Sequence, residues 1–241
     1  MEYKQIIYAC EESKHLVSMV PIERVVSLGH SIGLNENTSV LDLCCGYGTM
    51  LKVWSEAFSI SGVGIDRDTS FIETGISRLT NDRVKLISDD ILAYTDTKKY
   101  DVVVCTELST GLFDSFVEGI LFLEKFVKPS GTLIFGRLHS KIPNPPQELI
   151  DFDGELPTLS EIYEEVKKCG YLITSMASDT TEAWERYIMR DNKLSLTRKN
   201  PHDTQSSEWT DKWNRIYFDY RRPFEGWALF AIEKLRGESN R

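Results

Sequence analysis

Ser39-Val40-Leu41-Asp42-Leu43-Cys44-Cys45-Gly46-Tyr47-Gly48-Thr49-Met50 is the stretch whose reading decides the fold. An apolar run, Val40 to Leu43, carries one acid and runs straight into a turn of small residues. Met50, Leu51, Val53, Trp54 and Phe58 then follow at helical spacing. The pattern is strand, tight loop, helix, the unit in which a loop backbone and a helix N-terminus face a bound nucleotide-like ligand.

Working outward, the same alternation repeats. Gly62-Val63-Gly64-Ile65-Asp66 reads as a second strand ending in an acid, and Asp68-Thr69-Ser70 caps a helix with Phe71, Ile72, Ile76 and Leu79 on its apolar side. Val84 to Ile87 is a third strand, ending at Ser88-Asp89-Asp90, and Asp101 to Cys105 is a continuous apolar run suited to burial on both faces. A strongly apolar helix is predicted over 114–127, stopped by Lys128-Pro129-Ser130-Gly131, which turns the chain into strand five, Thr132 to Phe135. Prolines 143, 145 and 146 mark an irregular loop over 137–157. Thr158-Leu159-Ser160-Glu161 has the capping-box pattern, opening a helix closed by Gly170. Tyr171 to Met176 and Gly226 to Ile232 read as strands six and seven. Residues 3–33 read as helical, with Pro21 at a first helical position.

This order predicts an α/β fold with a parallel sheet covered by helices on both faces. We expect one domain over 1–241: a helical cap over 1–33, a Rossmann-like core over 34–179 and 226–236, and a helical insertion over 180–225 packed on one edge of the sheet. That insertion is polar overall but carries Trp184, Tyr187, Trp209, Trp213, Tyr217, Phe218, Tyr220 and Phe224.

Two ligand classes use such a loop. A dinucleotide fingerprint wants a third glycine for close helix packing, and Gly46-Tyr47-Gly48-Thr49-Met50-Leu51 lacks it. Asp42, set just before the loop, would repel a pyrophosphate but suits a ligand bearing an ammonium group. Asp42, Asp66 and Asp90 recur at intervals of 24 residues, one strand-helix-strand period each.

Asp42-Leu43-Cys44-Cys45-Gly46-Tyr47-Gly48 resembles the Asp-x-Gly-x-Gly-x-Gly motif of class I S-adenosylmethionine-dependent methyltransferases, with Cys44 in place of the first glycine. The resemblance implies a seven-stranded, mostly parallel sheet with an antiparallel last strand, and S-adenosylmethionine as cofactor. It places the cofactor's ribose on Asp66 (with Arg67 beside it), its adenine on Asp90 and Ile91, and its methionine part along Asp42, Cys44, Gly46, Gly48, Thr106 and Glu107. The long insertion and Phe224-Glu225-Gly226-Trp227 also resemble a group of bacterial methyltransferase-domain proteins of unsettled substrate, and less closely the quinone-biosynthesis C-methyltransferases.

The bulk numbers set limits on the partner. With 241 residues, 41% hydrophobic and 27% charged, the chain can bury one substantial core. A net charge of −9 argues against a nucleic-acid surface, which needs clustered cations; Lys193, Arg198, Lys199, Arg221 and Arg222 form one local basic group. Five cysteines without framework spacing fit a reduced, cytoplasmic protein, and adjacent Cys44 and Cys45 do not make a metal site. No apolar run is long enough to span a membrane, and the first residues do not read as a signal peptide. A small-molecule methyl acceptor is expected, shielded by the N-terminal segment and the insertion. Methylation of tRNA or protein, a catalytically silent cofactor-binding protein and a nucleotide-dependent oxidoreductase are the alternatives. Glu107, His139, Tyr187 and Tyr220 are the candidates for chemistry above the loop, with Glu107 favoured as a cofactor or pocket residue and His139 placed on a loop after strand five. Tyr8 and His15 would close the pocket or pack.

Overall fold

The computed structural model describes residues 19–106, 111–197 and 211–235. The chain forms α1 (Ile22–Ser31), β1 (Ser39–Leu43), α2 (Thr49–Phe58), β2 (Ser61–Asp66), α3 (Thr69–Ile76), β3 (Val84–Ser88), β4 (Tyr100–Cys105), α4 (Phe116–Glu124) and β5 (Val127–Ser140). α5 (Gln147–Asp153), α6 (Leu159–Lys168), β6 (Tyr171–Ser178) and α7 (Thr181–Thr197) follow. A helical stretch over 211–216 (α8) widens into a π-turn, Tyr217–Arg221, and ends in a single turn, Arg222–Phe224 (α9), before β7 (Glu225–Lys234).

The seven strands lie in one sheet in the order β3-β2-β1-β4-β5-β7-β6. The pairs β1–β2, β1–β4, β2–β3 and β4–β5 are parallel, and β7 runs antiparallel to both β5 and β6. The strand order reverses between β1 and β4, so a crevice opens at their carboxyl ends, the place where open α/β sheets bind ligands.

Period-two alternation divides the core between the two faces. Val40, Val102, Val104, Ile134, Leu229 and Ala231 face α1, α2 and α3, while Leu41, Leu43, Val103, Cys105, Leu133 and Phe230 face α4 and α6. On the first face the Trp54 indole N–H donates to the Val25 carbonyl at 2.9 Å, tying α2 to α1 inside the core. The insertion joins this same face: Ala183, Trp184, Ile188 and Tyr217 are buried, the last three in one cluster with Trp227 and Val104. It therefore lies on a face of the sheet, not over an edge.

Arg221 pins the insertion. It is 5% exposed, donates from Nε to Asp153 Oδ2 at 2.9 Å with a second contact to the other carboxylate oxygen, and sits 3.2 Å from Glu225 Oε2. Its guanidinium carbon lies 4.2 Å from the Trp213 ring centre. Burial pushes the Glu225 carboxyl up to about 8 in spite of Arg221. The buried guanidinium is thus matched by acids on both sides and is not left as an uncompensated charge.

The structure corrects several local expectations. Pro21, with ψ 148°, is the cap before α1 and not its first helical residue. α4 stops at Glu124, and its Val117 and Leu121 are exposed, because only one side of the helix meets the sheet. Lys128-Pro129-Ser130-Gly131 lies inside β5 as an irregularity in the pairing with β4 between Tyr100 and Val102. β5 itself continues to Ser140, because β7 pairs with it up to Ser140↔Glu225. The expected loop therefore begins later and contains α5. Ile76 ends α3 half in solvent. Residues 3–18, with Tyr8 and His15, lie outside the described residues, as does Trp209.

The capping box is present as expected: Glu161 N–H donates to Thr158 Oγ1 and the Glu161 carboxylate accepts from Thr158 N–H at 2.7 Å. Thr158→Ala removes the cap and is expected to cost about 1 kcal/mol of stability, read as a lower urea midpoint at unchanged m-value.

Candidate active site

The loop between β1 and α2 is built from left-handed backbone. Cys44, Gly46 and Gly48 have φ of 64°, 54° and 66°. Gly48 caps α2 at a point where a Cβ would lie 2.6 Å from Leu86 Cδ2, so a side chain there would meet both left-handed strain and a crowded neighbour. Cys44 adopts the same backbone without being glycine, which costs an L-residue roughly 1–2 kcal/mol. Gly75 on α3 lets that helix approach, since a Cβ there would meet the Tyr47 carbonyl at 2.5 Å.

Asp66 holds the loop in place. Gly46 N–H donates to Asp66 Oδ2 at 2.7 Å, Asp68 N–H donates to Oδ1 at 2.9 Å, and Cys45 N–H donates to the Ile65 carbonyl at 3.0 Å. Each carboxylate oxygen has the capacity to accept a further hydrogen bond. Asp90 closes its own turn by accepting from Leu92 N–H at 2.9 Å.

These residues converge. Cys44, Asp66, Arg67, Asp90 and Ile91 line one cleft of about 320 Å³ with Gly111 and Leu112. Gly46 opens beside them, with no atom within 4 Å of where its Cβ would stand. Asp42 lies beneath, 2% exposed, and its Oδ1 is buried without a hydrogen-bond partner. Burial first, and then the charge of Asp66, pushes the Asp42 carboxyl up to about 8. A buried acid with an unused oxygen can accept from a cationic ligand group, and the rim acids can accept from hydroxyl or amino donors.

The other candidates fall in different places. Thr106 is half-buried just past β4, and Glu107 lies outside the described residues. His139 is a strand residue of β5, not a loop residue; it is 5% exposed, against Gly226, with Nδ1 unpartnered, and burial holds its pKa below the usual imidazole value against the pull of Asp179. Tyr187 packs edge-on to Trp184 at 6.4 Å, against the core cluster. Tyr220 is half-buried, near Glu148. None of these three lines the cleft. Among the described residues no cluster of His, Cys, Asp or Glu could hold a metal, the cysteines are free, and no helix is long and apolar enough to cross a membrane.

Residues 40–131, the span that carries this cleft, match the family model described as a methyltransferase domain. The fold is that of the class I methyltransferases, as the following solved structures show. A solved structure of an S-adenosylmethionine-dependent methyltransferase from Thiobacillus denitrificans, in complex with S-adenosyl-L-homocysteine, superposes with a TM-score of 0.83 at 21% identity, covering 97% of this chain and 100% of that one. A second, from Geobacter sulfurreducens with the same ligand, gives 0.83 at 22% identity over 95% and 98% of the two chains. An uncharacterized Escherichia coli (strain K12) protein, YjhP, is 26% identical over 94% of this chain and 97% of its own length.

Sequence reasoning missed a second polar cavity at the far end of β5, made by Arg24, Lys141, Asp179, Tyr217 and Arg222. These come from four distant places in the chain, Tyr217 and Arg222 sharing the last, and no local pattern links them.

Two outcomes test the domain's loop. Asp42 has a folded pKa of about 8 against 3.8 for an unperturbed carboxyl, so the folded state keeps a proton that the unfolded chain releases. Its contribution to stability is full below about pH 4, declines as pH rises toward 8 and then levels off. Asp42→Asn should flatten the fall in urea midpoint between about pH 5 and pH 8. Cys44→Gly should raise stability by about 1 kcal/mol, because relief of the left-handed cost exceeds the added unfolded-chain entropy, whereas Cys44→Val should lower it.

Proposed function

We propose that the protein is an S-adenosylmethionine-dependent methyltransferase that transfers a methyl group to a small-molecule acceptor. One observation carries the reading: Cys44, Asp66, Asp90 and Ile91 share a cleft at the point where the strand order reverses, with the orphaned Asp42 oxygen below it. That donor and acceptor set fits the cofactor. Asp66 would accept from the ribose hydroxyls, with Arg67 beside it. Asp90 would accept from the adenine amino group, and the Ile91 backbone would meet the ring. The backbone of Cys44, Gly46 and Gly48 would pass the methionine part, Asp42 would face its ammonium group, and Thr106 and Glu107 would border it. The ligand named with the Thiobacillus and Geobacter neighbours supports the same reading.

Bound, the cofactor supplies a methyl group on a sulfonium for in-line displacement. The chain's own part is alignment and exclusion of water, and the reaction needs a general base only where the acceptor must lose a proton. Of the weak catalytic candidates, His139 and Tyr187 are packed as structural residues, which supports alignment over base catalysis. The insertion over 180–225 and the N-terminal segment over 1–33 would act as a lid over a core of 34–179 and 226–236, all one domain. A shielded site and a net charge of −9 support a small acceptor and a cytoplasmic setting over tRNA or protein.

Asp66→Ala should weaken S-adenosylmethionine binding at least about tenfold in calorimetry, the loss expected for hydrogen bonds to a charged group. Unchanged affinity would remove the assignment. Labelled cofactor incubated with a cell metabolite extract should give a labelled product; cofactor binding with no product from any acceptor pool would leave a silent binding protein.

A further inference from the structure

We propose that the cavity between α1, α7 and the π-turn binds an anionic group of the methyl acceptor, a carboxylate or a phosphate. The inference rests on the methyltransferase reading and adds the class of acceptor.

Three cations border this space of about 240 Å³: Arg24 from α1, Lys141 from the end of β5 and Arg222 from α9. The acids nearby are Asp179, Glu185 and Glu225, and they offset only part of that charge: Glu225 faces Lys141, but burial pushes its carboxyl up to about 8. Asp179 is turned inward, accepting from Trp227 N–H at 3.0 Å and from the Trp184 indole N–H. Glu185 meets Arg222 Nε at 3.1 Å in a pair whose side chains are 42% and 52% exposed, an arrangement worth little in water. Arg24 donates from Nη1 to the Ser178 and Asp179 carbonyls at 2.9 and 3.1 Å, which orients its guanidinium without neutralising it. The Lys141 ammonium reaches the Arg222 carbonyl at 3.4 Å. Like charges converging on one concave surface raise the local concentration of anions.

Two further features face the same space. The 17-residue α7 begins there, with Thr180 and Thr181 in the wall and Thr180 Oγ1 accepting from Ala183 N–H at 3.1 Å, so its positive end adds to the field. Tyr217 belongs to the inner wall beside Arg222, is wholly buried, and has a hydroxyl without a hydrogen-bond partner. A buried donor left unmade is costly, and a ligand oxygen would remove that cost.

Position links the cavity to the cleft. Trp227, whose N–H meets Asp179, lays its indole across Gly136, and a Cβ at Gly136 would stand 2.7 Å from the Thr106 carbonyl at the end of β4. One buried indole thus lies between the wall of the anion cavity and the end of β4, the strand end proposed to border the methionine part. An acceptor held by its anion here would lie on the Trp227 side of the end of β4, toward the proposed place of the transferred methyl.

The test uses the full chain at constant ionic strength. Inorganic phosphate and malonate are titrated separately into protein saturated with S-adenosyl-L-homocysteine, for the wild type, Lys141→Gln, Arg222→Gln and Tyr217→Phe. At least one anion should bind the wild type, each charge variant should weaken it about tenfold, and homocysteine-nucleoside affinity should stay unchanged. Tyr217→Phe should weaken the anion without lowering thermal stability, since it deletes an unpaired hydroxyl. Phosphate binding alone would mark a phosphorylated acceptor, and malonate alone a carboxylic acid. Normal S-adenosyl-L-homocysteine binding with no response to either anion, or with variants indistinguishable from wild type, overturns the anion site and leaves the methyltransferase reading standing. Anion binding without S-adenosyl-L-homocysteine binding overturns the methyltransferase reading and the acceptor assignment with it. In the metabolite incubation, labelled product should elute in the anionic fraction; label confined to neutral and cationic fractions overturns the inference.

Discussion

The hydrogen bond from Gly46 N–H to the Asp66 carboxylate is the contact on which the site depends. It joins the loop after β1 to the end of β2, across two strands that are neighbours only because the sheet forms. A loop with three left-handed residues has little intrinsic preference for one shape, and a charge-assisted bond at 2.7 Å supplies one. The same bond holds the loop open beside Gly46, where nothing else fills the space. Cys44 shows how strongly the loop is held, because a residue with a Cβ is kept where glycine is the ordinary choice.

The second constraint is the single antiparallel strand. β7 enters between β5 and β6 and pairs with β5 over nine residues, from Thr132↔Glu233 to Ser140↔Glu225. That long pairing carries β5 past the end of its parallel neighbour, keeping His139 and Ser140 in strand with Lys141 just beyond it. It also brings the π-turn to the same place, since Glu225 follows it directly and Arg221 ties it to Asp153. A wide helical turn of this kind is common where function needs side chains re-aimed. Here it presents Tyr217 and Arg221 inward and leaves Arg222 at the cavity.

Much of the architecture was legible because it is written locally. The acids at 24-residue intervals mark strand ends, alternation marks buried strands, and Thr158 with Glu161 announces a helix start. Errors arose where long-range pairing overrode local chemistry. Pro129 and Gly131 look like a helix stop followed by a loop, yet β4 and β7 draw the surrounding chain into strand. Val117 and Leu121 look like core and are exposed, because one helix side is all the sheet can cover. His139 looks like a substrate-facing loop residue and is buried by its partner Gly226.

By itself the sequence determined the strand-loop-helix unit and the order of the acids, since each is read from short stretches of chain at regular spacing, and the resemblance those stretches carry implied the cofactor. Only the tertiary structure decided that Asp42 lies buried with an unused oxygen and that Asp66 is the anchor of the loop. It alone assembled Arg24, Lys141 and Arg222 around Tyr217. Burial and convergence are properties of the assembled sheet and the helices laid on it, and no window of neighbouring residues contains them.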